Sequence, residues 1–300
     1  MIKLAFIINS LIKGKGHFYH KLSHIIEATQ LEINSIETSV DNRAIDIARQ
    51  LANDGYTHLI AVGGDGTLNE VLNGIMLSDK SPQLGVLPYG TANDFIKSVK
   101  APKDIDALIE SITNDSFLDL VVGTISYQIN NQTHERYFLN IADMGIGAEV
   151  VQRVNKSKKR LGSDLTFMKA IIQTFFTYKN KRIKVESDQW EWEGKINSLV
   201  IANGKYFGSG MCIAPHADPA KDLFEIVISG DISIFDYVKH VGQIKKGKVI
   251  EHPQLFYKTA SQLKVTSVDN CAIECDGEYL GTAPVTVGIA QKKISFITQS

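Results

Sequence analysis

One stretch of the chain, residues 59–74, constrains the fold more than any other. It reads Leu-Ile-Ala-Val-Gly-Gly-Asp-Gly-Thr-Leu-Asn-Glu-Val-Leu-Asn-Gly, an apolar run followed by three glycines within four positions. The apolar run is typical of a buried strand, and apolar residues then recur at helical spacing, at Leu68, Val71, Leu72 and Ile75. A strand that passes through glycine directly into a helix is the unit of a parallel, helix-covered sheet.

The first 120 residues repeat this alternation. Short apolar runs at 3–9, 33–38, 58–62 and 84–87 predict strands, and the segments between them have helical spacing. Asp41 is placed to cap the second helix and Gly55 to end it. We therefore predict a doubly wound, Rossmann-like α/β domain over residues 1–120, to which a last strand at about 292–300 returns.

The pattern changes near Asp119. Strand-like runs separated by turn residues then dominate, and two helical stretches, 165–178 and 234–245, interrupt them. One of these runs, Leu120–Tyr127, reads as a single strand. Residues 121–291 are therefore predicted to form an all-β, sandwich-like domain with short helical inserts.

Composition excludes several classes of protein. The net charge of −1 lacks the basic excess of a general nucleic-acid binder, so we expect no nucleic-acid partner. The three cysteines are odd in number and show no C-x-x-C spacing, which argues against a disulfide framework or a zinc site and favours a reducing, cytoplasmic compartment. No run approaches the roughly 18 apolar residues of a membrane span, so a soluble or surface-bound protein is expected.

The glycine loop is suited to a phosphate group. Glycine lets successive N–H groups point at an anion, and the helix N-terminus adds to their effect. Asp65 would repel phosphate unless a cation lies between them, and Mg²⁺ is the expected cation. Thr67 offers a helix cap and a hydroxyl. The alternative is a tight turn with an exposed Asp65, and the Gly-x-x-x-x-Gly-Lys-Ser/Thr loop is absent.

A second loop follows the fourth predicted strand. Residues 84–95 read Leu-Gly-Val-Leu-Pro-Tyr-Gly-Thr-Ala-Asn-Asp-Phe, and a helix is expected after them. Ligands of doubly wound sheets gather at the carboxyl ends of the strands, so we expect the polar side chains of both loops to face one cleft: Thr67, Thr91, Asn93 and Asp94. The alternative is a turn in which Asn93 and Asp94 are solvated.

With both loops in place, the sequence resembles the diacylglycerol kinase catalytic-domain family, in the form of the soluble bacterial lipid kinases. The motifs that carry the resemblance are Gly63–Glu70, Pro88–Phe95, Leu139-Asn140, Met144–Gly147, Ile213–Pro215 and Asp276–Glu278. It spans nearly the whole chain. The resemblance implies an α/β nucleotide domain, a β-rich second domain and an active site between them.

The resemblance also implies ATP, Mg²⁺ and transfer of the γ-phosphate to a lipid hydroxyl, with diacylglycerol as the first candidate. It assigns ATP binding to Asn9, Thr38, Gly63, Gly64, Asp65, Gly66, Thr67, Leu68, Asn69, Glu70, Gly90, Thr91 and Asn93. It assigns a catalytic Mg²⁺ network to Asp65, Asp94 and Asp119, and a structural Mg²⁺ to Pro219, Asp222 and Phe224. One departure bears on the structural site, because Leu223 stands where the family has glycine.

The segment Cys271–Gly281 contains the candidate base. Period-two alternation places Cys271, Ile273 and Cys275 on the buried face, and Asp276-Gly277 has the composition of a hairpin turn. The resemblance instead makes an acidic residue of Asp276-Gly277-Glu278 the general base on the lipid hydroxyl. Between the two we favour Asp276, with Glu278 in support and Asp65 as the third catalytic residue.

Basic residues flank the apolar stretch 165–176, at Lys156–Arg160 and Lys179–Arg182. An ordinary core helix with solvated flanks is the favoured interpretation, and the pattern also suits peripheral docking on the anionic inner face of a membrane, where a lipid substrate would be met. A homodimer is compatible with the sequence, which does not set the oligomeric state.

Two other functions share the glycine loop. An NAD kinase carries Gly-Gly-Asp-Gly, but the Gly-Thr-x-Asn-Asp-Phe loop belongs to the lipid-kinase branch. A nucleotide-binding regulator without turnover is the second alternative, although all the acidic residues that catalysis requires are present.

Overall fold

A computed structural model describes residues 2–29, 31–156, 173–174 and 176–300. The chain divides into two compact units, Met1–Val122 with Ala290–Ser300, and Gly123–Ile289. The sequence places these boundaries after residue 120 and before residue 292.

The first unit contains one six-stranded sheet in the order β2-β1-β3-β4-β20-β5. All neighbouring strands are parallel except β5, which runs antiparallel to β20. The return of β20 to this sheet and the doubly wound arrangement confirm the predicted α/β class. The strands are β1 (Lys3–Ile8), β2 (Glu32–Glu37), β3 (His58–Gly63), β4 (Gln83–Pro88), β5 (Phe117–Leu120) and β20 (Ile294–Ile297).

Four helices belong to this unit: α1 (Lys15–Ala28), α2 (Ala44–Asn53), α3 (Asp65–Met76) and α4 (Ile105–Thr113). The central strands β1 and β3 are buried along nearly their whole length, because side chains on both of their faces pack in cores. Continuous apolar runs are therefore the correct signature for these strands.

Three local expectations about the helices were wrong. Asp41 does not cap α2: the helix begins after Arg43 without a side-chain cap, and the carboxylate of Glu70 accepts from Ala44 N instead. Thr67 does not cap α3, because the helix already begins after Gly64 and Thr67 is its third residue. The helix expected after the second loop is a single 3-10 turn, Phe95–Lys97.

The second unit contains two six-stranded antiparallel sheets and a short hairpin. The β6 sheet has the order β10-β9-β16-β19-β6-β7, and the β8 sheet has the order β15-β14-β11-β8-β17-β18. The β6 sheet is formed by β6 (Gly123–Ile129), β7 (Gln132–Phe138), β9 (Lys181–Glu186), β10 (Glu191–Ile196), β16 (Gln262–Ser267) and β19 (Val285–Ile289). The β8 sheet is formed by β8 (Ile141–Gly145), β11 (Ser198–Ala202), β14 (Phe224–Ser229), β15 (Leu255–Ala260), β17 (Ala272–Cys275) and β18 (Glu278–Thr282). The hairpin pairs β12 (Tyr206–Phe207) with β13 (Met211–Cys212).

One core joins the two sheets, as in a β-sandwich. Ile125 and Val185 from the β6 sheet share it with Leu199, Ile226 and Ile273 from the β8 sheet. The predicted sandwich is confirmed, with one local correction. The run Leu120–Tyr127 is not a single strand, since β5 ends at residue 120 and β6 begins at residue 123.

The β8 sheet is also covered on its other face. Ile141, Val200 and Val227 point away from the sandwich core and pack against Ala214 and Ala217 of a loop. The helices α5 (Ile146–Lys156) and α6 (Ile234–Lys245) belong to the second unit. The helix α6 matches the predicted stretch 234–245, whereas most of the stretch 165–178 lies outside the described residues.

Within the described ranges, no helix has the length and apolar character that spanning a bilayer would require.

Candidate functional site

The two glycine loops of the first unit are held against each other. Gly63 is level with the end of β4, and its carbonyl accepts hydrogen bonds from Tyr89 N at 2.8 Å and Gly90 N at 3.1 Å. The backbones of Gly64 and Gly90 lie so close that a Cβ atom on Gly90 would overlap the Cα of Gly64. The approach of the loops therefore requires glycine at position 90, and a Cβ atom on Gly64 would make a tight contact with Gly90.

Asp65 is the main link between the loops. Its carboxylate accepts hydrogen bonds from Asp94 N at 3.0 Å and Phe95 N at 3.2 Å. Burial raises the pKa of Asp65, the two N–H groups oppose that rise, and the nearby charge of Asp94 adds to it. Asp94 is itself buried and pairs with Lys97 Nζ at 2.6 Å, a partner that the sequence did not suggest.

Predicted polar residues from neighbouring strands gather at the same edge of the sheet. Asn9 follows β1, and its Nδ2 donates to Thr67 Oγ1 at 3.0 Å. Thr38 follows β2, and its Oγ1 accepts from Ser10 N at 3.2 Å. These contacts bring Asn9, Thr38 and Thr67 together near the start of α3.

The second loop is closed by its own asparagine. Asn93 has a φ of +46°, in the left-handed region that asparagine tolerates, and its Nδ2 donates to Gly90 O at 2.8 Å. Thr91 lies between them and is exposed. The loop is therefore ordered around Gly90 with the Thr91 hydroxyl on its surface.

The side chains of the last three residues of the first motif, Leu68, Asn69 and Glu70, contact the rest of the first unit. Leu68 and Asn69 are buried within α3. Glu70 pairs with Arg43 Nη2 at 2.7 Å and accepts from Ala44 N at 3.2 Å, which ties α3 to the start of α2. These three side chains therefore support the glycine loop that precedes them.

Asp119 is not brought to the other acidic residues. It pairs with Ser295 across β5 and β20, and its carboxylate accepts from Ser295 Oγ at 2.6 Å. The register of β20 with β4 puts Ser295 level with Gln83, at the amino end of β4. At about 3.3 Å per residue, this position is about 16 Å along the strand from Pro88, where the second loop begins.

The start of α3 can receive an anion. Leu68 N is the first amide to bond within the helix, to Gly64 O, and the cap position Gly64 offers no side chain. The amides of Asp65, Gly66 and Thr67 thus form the open first turn, where N–H groups and the helix dipole favour phosphate.

The acidic pair of this site suits a hard cation. Asp65 and Asp94 supply carboxylate oxygens, the ligands that Mg²⁺ prefers, and a cation would relieve their mutual repulsion. Among the described residues, no group of three or more His, Cys, Asp or Glu side chains could hold a metal unaided. Water and phosphate oxygens would have to complete the coordination, as is usual for Mg²⁺.

In the second unit, Asp276 occupies the turn between β17 and β18 with a φ of +44°. Its two oxygens accept three backbone hydrogen bonds, from Leu139 N at 2.9 Å, Asn140 N at 3.1 Å and Ile141 N at 2.9 Å. A carboxylate has about four acceptor positions, so most of its capacity is used. Asp276 therefore anchors the chain that enters β8.

Glu278 has a different environment. It begins β18, keeps 35% of its side chain exposed and pairs with Arg136 Nη2 at 2.7 Å. A side chain with one cationic partner and contact with solvent can exchange that partner for another group.

The predicted structural Mg²⁺ residues lie just before and at the start of β14. Asp222 is exposed, and Pro219 and Phe224 are buried. Leu223 does not adopt a positive φ, so the leucine in place of the family's glycine imposes no backbone strain here. The segment keeps an exposed carboxylate beside a strand.

The sequence reasoning missed a pair of buried carboxyl groups on adjacent strands of the second unit. Asp143 on β8 and Glu274 on β17 are cross-strand partners, and both are fully or almost fully buried. Burial raises the pKa of Asp143 to about 7. Burial, and then the charge of Asp143, raises the pKa of Glu274 well above its usual range. An acidic residue inside the apolar run Ile141–Gly145 was the available signal for Asp143.

A cavity of about 200 Å³ lies on the face of the β8 sheet that points away from the sandwich core. Its wall is mainly apolar and comes from α5, α6, the β12–β13 hairpin and strands β8, β11, β14 and β15; Val150, Val200 and Ile244 are examples. Asp143 also lines it. The second unit therefore holds an apolar pocket with a buried acid in its wall.

The buried pair generates a prediction about stability. A carboxyl whose pKa is raised by folding destabilises the native state increasingly as pH rises above the pKa of the unfolded chain. We expect Glu274→Gln to be more stable than the wild type at pH 8, by an amount on the order of a few kcal/mol, and to lose that advantage at pH 5. Urea unfolding at both pH values measures this difference.

The exposed Glu193 on β10 offers the matched control, because Glu193→Gln removes a carboxylate that burial does not affect. An equal stability difference for Glu274→Gln at pH 5 and pH 8 would contradict the assignment.

Comparison with known families matches both units. The diacylglycerol kinase catalytic domain matches residues 3–125, and the YegS C-terminal NAD kinase beta sandwich-like domain matches residues 140–298. Diacylglycerol kinase from Bacillus subtilis is 26% identical over 287 residues, covering 94% of this chain and 92% of the relative. Diacylglycerol kinase from Staphylococcus saprophyticus is 28% identical over 291 residues, covering 95% and 92%.

Solved structures show the same fold. A diacylglycerol kinase from Bacillus anthracis superposes with a TM-score of 0.71 at 18% identity, covering 99% of this chain and 96% of that one. Yeast NADH kinase complexed with NADH gives a TM-score of 0.58 at 11% identity, covering 100% and 84%. The two matched domains in this order, with relatives that span nearly the whole chain, show that this protein belongs to the diacylglycerol kinase catalytic-domain family, in its bacterial lipid-kinase branch.

Proposed function

We propose that this protein transfers the γ-phosphate of ATP to the hydroxyl group of a lipid, with diacylglycerol as the first candidate. The observation that carries the proposal is the joined pair of glycine loops, in which Asp65 accepts the N–H groups of Asp94 and Phe95 beside the open first turn of α3. Curated relatives named diacylglycerol kinase support the choice of reaction.

The phosphate groups of ATP would bind the amides at the start of α3. Asn9 orients the Thr67 hydroxyl, and Asn93 holds the second loop in the conformation that keeps Gly90 against Gly64. Phosphoryl transfer depends mainly on positioning and charge neutralisation. A rigid pair of loops is therefore the main requirement for binding and orienting ATP.

Asp65 and Asp94 would hold Mg²⁺, which neutralises phosphate charge when bound. Lys97 keeps Asp94 in place through its 2.6 Å ion pair. Asp119 is left out of this group because it lies at the other end of the sheet. A second Mg²⁺ at Pro219, Asp222 and Phe224 stays a prediction of the resemblance.

The acidic turn of the second unit would supply the general base. The contacts favour Glu278, since the oxygens of Asp276 are already bound by three backbone amides. This reverses the preference drawn from the sequence. In this proposal Asp276 positions the turn and Glu278 accepts the proton of the lipid hydroxyl.

Two features support a lipid over a nucleotide as acceptor. The loop Pro88–Phe95 carries the lipid-kinase pattern, and the second unit contains an apolar cavity. The likeness to yeast NADH kinase concerns the fold alone. We further propose contact with a membrane surface: most of the basic and apolar segment that predicts it, residues 157–172 and Phe175, lies outside the described residues, and Phe176 beside it is 83% exposed.

The direct test is transfer of labelled γ-phosphate from ATP with Mg²⁺ into a panel of acceptors. The panel contains diacylglycerol, phosphatidylglycerol, sphingosine and undecaprenol in mixed micelles, with NAD beside them. We expect label in a lipid and loss of at least about 100-fold in turnover for Asp65→Ala, because the variant loses both a magnesium ligand and the link between the loops. Label in NAD alone would contradict the proposal.

The base assignment has its own test. Glu278→Gln removes the proton acceptor at nearly constant shape, and we expect turnover to fall about 10²–10⁴-fold without loss of thermal stability. Asp276→Asn replaces an acceptor oxygen by a donor facing backbone N–H groups, so we expect lower stability together with lower turnover. A stable Asp276→Asn protein with strongly reduced turnover, beside a fully active Glu278→Gln protein, would return the role to Asp276.

A further inference from the structure

The hairpin that carries Glu278 is closed by two residues with left-handed backbone conformations. Cys275 of β17 pairs with Glu278 of β18, so Asp276 and Gly277 alone form the turn, with φ values of +44° and +86°. Two positive φ values are typical of a type I′ turn, for which Asp-Gly is a favoured sequence. The turn can therefore form from its local sequence alone.

The pairing of β17 with β18 does not by itself fix the direction in which this turn projects. The register shifts between Ile273 and Glu274, where β18 contains one extra residue, Leu280. Such a β-bulge bends its strand and increases the local twist. The orientation of the turn therefore depends on further contacts.

Glu274 makes one of these contacts from the strand that precedes the turn. Gly277 N donates to its Oε2 at 2.7 Å, and the glutamate side chain is fully buried. The carboxyl group can accept this bond in either protonation state, because the neutral acid keeps a carbonyl oxygen. Since Glu278 directly follows Gly277, the bond restricts the backbone that presents the Glu278 side chain.

The burial of Glu274 does not favour folding. Burial, and then the charge of Asp143, raises its pKa, and its Oε1 has no hydrogen-bond partner among the described residues. A buried polar group that is incompletely hydrogen-bonded destabilises a protein, whereas a methionine of similar length would pack there without that cost. Stability therefore does not account for an acid at this position, and its bond to the turn does.

We propose that Glu274 is a positioning residue for phosphoryl transfer, whose bond to Gly277 N fixes the turn so that Glu278 is held in place to accept the proton of the acceptor hydroxyl group. The role of Glu278 rests on the proposed function, whereas the fixing of the turn does not. Displacement of a reacting group by about 1 Å can lower a rate about 100-fold, so a looser turn should lower kcat.

The test replaces Glu274 by methionine, which removes the acceptor and keeps an unbranched side chain of similar length. We expect Glu274→Met to unfold at the same or a higher urea concentration than the wild type at pH 8, because a buried acid is removed. For the lipid acceptor, kcat should fall about tenfold while KM for ATP and for the lipid changes less than about twofold. Amide exchange at Gly277 should become at least about tenfold faster, since its N–H group loses its partner. A purely structural residue would instead lower stability and kcat together.

Glu274→Gln is the matched control, because it keeps an acceptor oxygen for Gly277 N and removes the ionisable group. It should restore most of the kcat lost in Glu274→Met and slow the exchange of Gly277 again. If the methionine variant does not fold, Glu274→Asp withdraws the carboxyl group by one methylene and should show the same lower kcat and faster exchange. A wild-type kcat in folded Glu274→Met or Glu274→Asp, or no recovery of kcat in Glu274→Gln, would overturn the inference.

The exchange measurement separates this inference from the proposed function. Faster exchange at Gly277 in Glu274→Met, in a protein that phosphorylates no member of the acceptor panel, would uphold the fixing of the turn and reject the kinase proposal. Lipid phosphorylation with unchanged kcat and unchanged exchange in Glu274→Met would uphold the kinase and reject the positioning role.

Discussion

The carboxylate of Asp65, bound by the N–H groups of Asp94 and Phe95, is the interaction on which the first unit's site depends. It joins two loops that follow neighbouring strands, and the contact between Gly64 and Gly90 allows them to meet. Burial raises the pKa of Asp65, so the fold holds this acid where its charged form is disfavoured. Such a position is typical of a functional site rather than a stabilising one.

The acidic residues Asp276, Glu278 and the pair Asp143 and Glu274 have three different environments in the second unit. Asp276 accepts three backbone N–H groups and orders the entry to β8, whereas Glu278 has an ion pair and contact with solvent. Asp143 and Glu274 are buried on neighbouring strands without a cationic partner in reach of their carboxyl oxygens among the described contacts. The amide bonds of Asp276 favour stability, whereas burial disfavours the charged forms of Asp143 and Glu274.

Much of the fold could be predicted from the sequence, because buried parallel strands and glycine turns have recognisable local patterns. The strand β3 and the turn Gly63–Gly66 are examples. Details that depend on contacts between distant segments could not be predicted from the sequence. Glu70 took the place of Asp41 at the start of α2, and the register of β20 set Asp119 apart. Alternation along β17 placed Glu274 on the face opposite Cys275, but only the cover on the outer face of the β8 sheet makes that position buried. The backbone amides that bind Asp276 come from residues 139–141, far from it in sequence, so they could not be predicted from the local pattern either.

We propose that the two glycine loops form one phosphate site. Hydrogen–deuterium exchange of residues 63–68 and 90–95, measured with and without Mg²⁺ and a non-hydrolysable ATP analogue, tests it most directly. We expect the nucleotide to slow exchange in both loops together, and Asp65→Ala to abolish this protection in both. Protection confined to one loop, or protection that survives Asp65→Ala, would contradict it.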